Sequence, residues 1–261
     1  MHTLFRKLTG QPCQVESALW YAQTRHWDVY PGAWRKRGEH ASCSCPRAAC
    51  PAAGAHPQDE EWRADATTAA RTIRWWWGMR PEASIVLPTG RTFDVIEVPA
   101  AVGRVAMERI LRLGLRLGPV LGDRQRHRFL VVPGIREELP DLLSWLGWPH
   151  SDRLDLRCYA EGDYVTAPPM GLTTRSRTHW VVEPTLDNRL LPYGRDIIPT
   201  ITYASLQLAE QAAQLAQAAR QQRPTTPSVA GRRPSRPPRP VARRAAVPAQ
   251  RTASRPEGGP G

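Results

Sequence analysis

The sequence predicts an α+β fold with mostly antiparallel pairing. Segments with a helical apolar period alternate with short apolar runs bounded by Gly, Pro and Asp, without a regular βαβ repeat. The stretch GPVLGDRQRHRFLVVPG reads as a hairpin with RFLVVP its second strand. Hydrophobic residues make up 41% of 261 residues, which suits one large domain or two small ones.

In chain order, Val15, Leu19 and Ala22 of VESALWYAQTRHW are spaced for one helix face, and WDVYPG reads as a short strand closed by Pro31-Gly32. Residues 33–64 are irregular. ATTAARTIRWWWG reads as a helix capped near Thr67 and stopped at Gly78. Successive helix positions point in different directions, so two of Trp75, Trp76 and Trp77 are expected in the core and one partly exposed. ASIVLPTG and TFDVIEVP are two strands around a Pro-Thr-Gly turn.

In AAVGRVAMERILRLG, Val102, Val105, Ala106, Ile110 and Leu113 share a face and Gly114 ends the helix. REELPDLLSWLGW reads as a helix entered near Pro140, with Trp145 and Trp148 in the core. DLRCYAEGDYVTAPP gives two short strands around Glu161-Gly162, and THWVVEP gives a last one. From PTITYASLQLAEQAAQLAQAAR the pattern becomes a terminal helix, with Leu208, Ala212, Leu215 and Ala219 repeating too briefly for a coiled coil.

The net charge is +12, and nine arginines against Glu257 place +8 of it in residues 223–261, leaving +4 for the first 222 residues. That tail holds almost no large apolar residue and is expected to be disordered. Its arginines suit phosphate binding or simply follow an Arg-, Ala- and Pro-rich composition. No apolar run is long enough to span a membrane, and MHTLFRKLTGQPCQ lacks the apolar core of a secretory signal. The expectation is a cytoplasmic, bacterial-type protein, nucleoid-associated if the tail meets DNA.

Three of five cysteines fall within eight residues, and Cys13 and Cys158 stand apart. An odd count without a secretion signal argues against a disulfide framework. CSCPRAACPAAGAH puts Cys43, Cys45, Cys50 and His56 on one irregular loop, a donor set suited to tetrahedral zinc. A loop this poor in apolar residues gains folding energy from a bound metal. His40 is a substitute ligand, and a site closed by four protein ligands is structural.

TFDVIEVPA carries Asp94 and Glu97 on one candidate strand. Two-metal phosphoryl transfer holds its cations with carboxylates, and on a strand a pair at i and i+2 shares a face and chelates well. Asp94 and Glu97 are at i and i+3, on opposite faces, and Pro99 occupies the partner position to Glu97. Asp94 is therefore expected to be a solvated carboxylate near the turn. His127, among Arg124, Arg126 and Arg128, can meet a triphosphate, and taken alone it also fits a solvent-facing strand position. Asp155 in LDLR, read as a carboxylate inside a short strand, is a candidate ligand or one half of an ion pair with Arg153 or Arg157.

The order of blocks is CSC…C…GAHP, ATT…IRWWW, ASIVLPTG, the acidic strand, the His-bearing strand, LDLR and EGDYVTAPP. It resembles the bifunctional DNA primase/polymerase N-terminal (Prim-Pol) domain of the archaeo-eukaryotic primase superfamily, in a short actinobacterial form with a strand FDxLDVP. The likeness covers roughly residues 13–204. It implies a two-lobed primase/polymerase-like domain over 1–205 with an RRM-like sheet and a zinc-knuckle insertion at 40–57. A C-terminal helix at 206–222 and the disordered tail at 223–261 follow.

The resemblance also implies nucleotide polymerisation on a DNA template with Mg²⁺ or Mn²⁺, and DNA and nucleoside triphosphates as partners. The family's first motif is an Asp-x-Asp pair, and Glu97 falls on the first acid and Pro99 on the second. Its second motif gives a phosphate-binding His, matched by His127 with Arg126 beside it. Its third gives a metal-binding Asp, matched by Asp155. The segment Gly162–Pro169, with Asp163 inserted before Tyr164, flanks the nucleotide and makes Tyr164 a contact. Ala55 stands where related knuckles often carry Lys. The implied catalytic set is Glu97, His127 and Asp155, with Glu97 and Asp155 holding the cation. Because that metal motif is incomplete, the alternative is a catalytically silent module that holds DNA or a partner protein with its basic tail.

Overall fold

A computed structural model describes residues 13–36, 42–47, 49–148, 154–169 and 178–221. His40 and the tail from 222 onward lie outside them. The chain divides into two units, Met1–Ala218 and Ala219–Gly261, and of the second only Ala219–Gln221 is described. In chain order the elements are α1 (Gln14–Thr24), β1 (Tyr30–Pro31), α2 (Trp62–Asp65), α3 (Ala70–Met79), β2 (Ile85–Pro88), β3 (Asp94–Pro99), α4 (Ala100–Arg112), β4 (Val120–Gly122), β5 (Arg126–Val131), α5 (Ile135–Trp145), β6 (Arg157–Tyr159), β7 (Tyr164–Ala167), β8 (His179–Val182) and α6 (Gly194–Gln221).

The fold is α+β, built on two antiparallel sheets. The run β3–α4–β4–β5–α5–β6 forms an RRM-like sheet in the order β6-β3-β5-β4, and β8 adds an edge beside β4. A smaller sheet has the order β1-β2-β7. The Pro-Thr-Gly turn after β2 therefore carries the chain from one sheet to the other, and so does the Glu161-Gly162 turn between β6 and β7. The two crossings are pinned together. Thr89 Oγ1 donates to the Ala160 carbonyl at 2.6 Å, and the Thr89 N–H donates to the Asp163 carbonyl at 3.1 Å. Gly90 has φ +91°, and a Cβ there would run into the Glu161 backbone, so only glycine fits.

Alternation along β3 and β5 sorts the core. Ile96, Val98, Phe129 and Val131 face α4, α5 and α6, where they meet Ala106, Ile110, Leu143, Ile197 and Ile201. On the other face Val95 and Leu130 pack with Ile85, Leu87 and Val165 of the small sheet and with Tyr21, Ile73 and Trp77. Each fully buried Val, Leu, Ile or Phe among them contributes about 1.5–3 kcal/mol.

Several expectations are corrected. Asp94 is buried, and its Oδ2 accepts the Gly134 N–H at 2.8 Å and the Ile135 N–H at 3.2 Å. The first amides of a helix have no partner within it, and this strand carboxylate supplies one. Burial raises the Asp94 pKa even against these bonds. So α5 begins at Ile135, and Pro140 lies inside it. Trp145 points outward, 82% exposed, while Trp148 packs against the core. Of the tryptophan triplet only Trp77 is fully in the core, its Nε1 donating to the Ala83 carbonyl at 3.1 Å; Trp76 is half-buried and Trp75 is 64% exposed. Leu113, just past the end of α4, is exposed.

Candidate functional site

The knuckle leaves β1 and folds back on it. The Ser44 N–H donates to the Trp34 carbonyl at 2.8 Å, the Lys36 N–H to Ser42 at 2.9 Å, and the Ala33 N–H to His56 at 2.7 Å. This gathers Cys43, Cys45, Cys50 and His56, whose ligand atoms all lie within 4.8 Å of one another. His56 Nε2 is 3.3 Å from both Cys43 Sγ and Cys50 Sγ, and His56 Nδ1 is 2.5 Å from the Pro57 carbonyl. The Nδ1–H tautomer donates to that carbonyl and frees Nε2 to bind metal, the usual arrangement behind a ligating histidine. Burial alone would raise the Cys43 thiol, but N–H donors from Cys45 and Gly54, with His56, bring it down to about 6, toward the thiolate. Zinc bonds of about 2.3 Å to sulfur put tetrahedral ligands about 3.8 Å apart, so these four residues fit a closed structural site.

The acidic strand is arranged differently. In the antiparallel register Glu97 lies opposite Arg128 of β5 and Arg157 of β6. Directly paired residues share a face, so all three side chains project to the same side. Glu97 is 1% exposed, and its Oε2 accepts from Arg128 Nε at 2.6 Å and from the Tyr159 hydroxyl at 3.4 Å. Its Oε1 accepts from Arg126 Nε at 3.1 Å, with Arg157 Nη1 at 3.8 Å.

Asp155 was expected within a strand, yet it sits in the turn before β6 with φ +45°, a region where Asp is tolerated. Its side chain is 59% exposed, and Arg126 holds it from both ends. Arg126 Nη1 donates to Asp155 Oδ2 at 2.5 Å, and Nη2 donates to the Asp155 carbonyl at 2.8 Å. One guanidinium thus stands between the two carboxylates proposed as metal ligands, with all three nitrogens engaged. Arg128 also donates to Asp123 at 3.0 Å, and this bond, with the Gln125 and Arg126 amides, lowers the Asp123 pKa against the effect of burial.

Mg²⁺ and Mn²⁺ need several oxygens free to converge on one point. Here both Glu97 oxygens and Asp155 Oδ2 are taken by arginine, and Pro99 offers no ligand. These residues do not fit a two-cation site.

His127 does not join this group. It lies opposite Val98 and Gly122, on the helix-packed face with Phe129 and Val131. A Cβ on Gly103 of α4 would come within 2.6 Å of His127, so α4 sits directly on the ring. The imidazole is buried, and among the described residues its Nδ1 has no hydrogen-bond partner. Burial, then Arg104 and His179, lower its pKa and keep it neutral. Alternation in RHRFLV carried this signal, because His127 keeps step with Phe129 and Val131 while Arg126 and Arg128 keep step with each other. Arg128, Arg157 and Tyr159 are the residues that sequence reasoning undervalued.

Beside this face, a cavity of about 460 Å³ opens between the knuckle, β7 and the large sheet. Arg63, Arg128, Tyr159, Tyr164, Thr166 and Thr178 line it, and Ala52 and Ala55 of the knuckle form one wall. Tyr164 is fixed edge-on against Trp62 at 5.4 Å. Arg63 lies over the Trp62 ring at 4.8 Å and donates to the Gly162 carbonyl. Arg126 is absent from the lining, so its expected nucleotide contact has no support in this geometry.

The family model for the bifunctional DNA primase/polymerase N-terminal domain (Prim-Pol) matches residues 18–195, which is more than half of the chain. The chain belongs to this family. No curated protein and no solved structure matches it. Among the described residues no helix is long and apolar enough to cross a membrane.

Proposed function

We propose that this Prim-Pol domain binds nucleoside triphosphate or DNA phosphate in its arginine-lined cavity and does not transfer nucleotides. The observation that carries this reading is Arg126 between Glu97 and Asp155. Nucleotidyl transfer relies on cations that clamp the attacking and leaving oxygens. A guanidinium bound to both carboxylates removes the ligands that would hold such cations, and its charge opposes their entry. The cavity keeps what phosphate and base binding need. Arg63 and Arg128 supply cationic donors, Thr166 and Thr178 supply hydroxyls, and Tyr159 and Tyr164 supply ring faces. The knuckle holds zinc as a staple beside it. The basic tail adds phosphate affinity that falls steeply with salt.

The test is template-directed incorporation with Mn²⁺, run beside binding of a labelled triphosphate. The wild type is expected to bind the triphosphate and to yield no product beyond that of a Glu97→Ala/Asp155→Ala double variant. Arg63→Gln, which leaves the Glu97 network intact, is expected to weaken binding by about tenfold, the loss of one charge-assisted contact. Product formation above the double variant overturns the silent reading. Binding unchanged by Arg63→Gln removes the cavity from it.

A further inference from the structure

A second cleft borders the first along β7 and β8, on the same face of the large sheet, and carries acids where the first carries arginines. Trp20, Tyr21 and Trp180, with Pro168, Pro169 and Pro184, enclose about 430 Å³. Its rings are held in place. The Tyr21 hydroxyl donates to the Pro168 carbonyl at 2.5 Å and accepts from Trp180 Nε1 at 2.8 Å, and Trp20 stands edge-on to Tyr21 at 5.6 Å. Glu16 and Glu183 also line the cleft, and among the described residues neither carboxylate has a hydrogen bond or ion pair. Two acids beside fixed aromatic rings stand out on a body whose first 222 residues carry +4.

Aromatic-lined grooves suit extended polyproline, whose backbone is already ordered and whose rings pack between flat side chains. Carboxylates beside such a groove suit guanidinium groups, which also stack on Trp. Bare rings would equally stack nucleic-acid bases, but Glu16 and Glu183 would repel the phosphates. The chain contains a complementary segment. Residues 231–244, GRRPSRPPRPVARR, hold six Arg and four Pro and no acid.

We propose that the Trp20/Tyr21/Trp180 cleft is a docking site for an extended proline- and arginine-rich segment, and that its occupant is the run 231–244 of a second copy of this chain. Prolines pack on the rings while arginines pair with Glu16 and Glu183. The result is a self-association carried by the tail.

The experiment uses the full chain and a fluorescein-labelled synthetic peptide of residues 231–244, followed by anisotropy, with sedimentation velocity on the chain alone. Saturable peptide binding is expected, weakened about tenfold in Glu16→Gln/Glu183→Gln, the loss of two partly screened charge contacts. That double change lies at half-buried and exposed surface positions, and an unchanged thermal midpoint verifies that the variant folds. A peptide with its four prolines replaced by Ala is expected to bind as weakly. The chain is expected to self-associate as its concentration rises, and excess free peptide to reverse this. No peptide binding, equal binding by the double variant or the Ala peptide, or a chain that stays monomeric overturns the proposal. Displacement of the peptide by oligothymidylate as readily as by unlabelled peptide assigns the cleft to nucleic acid and also overturns it.

Discussion

In the knuckle, Cys43, Cys45, Cys50 and His56 turn their ligand atoms toward one another, with a backbone amide on one sulfur and a carbonyl behind the imidazole. At the acidic strand, Arg126 stands between Glu97 of β3 and Asp155 of the turn before β6, with Arg128 on the far Glu97 oxygen. Both regions collect side chains that bind metals. Only the first leaves them converging on a common point; the second satisfies its buried carboxylate with cations of the chain itself. A buried charge must be paired, and what pairs it decides whether any ligand remains. The two outcomes extend to one residue type. Hydrogen bonds hold the Cys43 thiol at about 6, whereas burial, with Asp94 nearby, pushes Cys158 on the helix-packed face of β6 up to about 12. Residue identity alone does not make a site; the neighbours' charge and donors do.

The largest expected effect falls on the knuckle. Bound zinc supplies folding energy where apolar burial is scarce, on the order of 10 kcal/mol or more in small zinc modules. Chelation by phenanthroline, or Cys43→Ser, is expected to lower the thermal midpoint by about 20 °C or more. Elemental analysis is expected to find one zinc per chain in the wild type and none in the variant. A wild type purified without zinc whose midpoint ignores chelation would erase the contrast between the regions.

Next in size is the acidic strand. Removing Glu97 leaves Arg126 and Arg128 without their buried partner, and breaking such a pair costs about 3–5 kcal/mol. Glu97→Ala is expected to lower the midpoint by about 10 °C at this chain length. Arg126→Ala sharpens the comparison further, because it removes the cation from between Glu97 and Asp155. That variant is expected to acquire Mn²⁺ binding, read by electron paramagnetic resonance, that the wild type lacks. Equal Mn²⁺ binding by both would mean that Arg126 does not stand in for a metal.

Much of this was legible in the sequence, for identifiable reasons. Knuckle ligands are local in the chain, so spacing alone grouped Cys43, Cys45, Cys50 and His56. Apolar period set most helices and strands, and Pro99 signalled an incomplete acid motif. What escaped depends on contacts distant in sequence. Nothing near Asp94 reveals that its partners are the Gly134 and Ile135 amides, 40 and 41 residues on. Arg126 reaches Glu97 and Asp155, each 29 residues away, only because β3 lies between β5 and β6. His127 escapes for a different reason: its charged neighbours adjoin it along the chain, whereas side chains alternate across a strand, and only every second one shares a face.

His127 gives the smallest expected effect and separates the two regions by pH. Acid is expected to weaken the knuckle, because protonated thiols and imidazole cannot ligate a metal. It also acts on the sheet through His127, which packs beneath Gly103 near Arg104 and His179, with Asp123 and Arg128 also acting on it. Burial, then Arg104 and His179, lower the folded pKa of His127. Between that value and the unfolded value of about 6.5, the unfolded chain binds more protons than the folded one. Stability is therefore complete above about pH 6.5 and falls as pH drops through the window below it. His127→Gln keeps a neutral side chain of similar size and removes this titration. Urea unfolding from pH 7.5 to 5.5, with zinc in excess, is expected to give a shallower loss of stability in the variant. Parallel pH profiles would assign the whole acid response to the knuckle and leave the sheet indifferent to pH in this range.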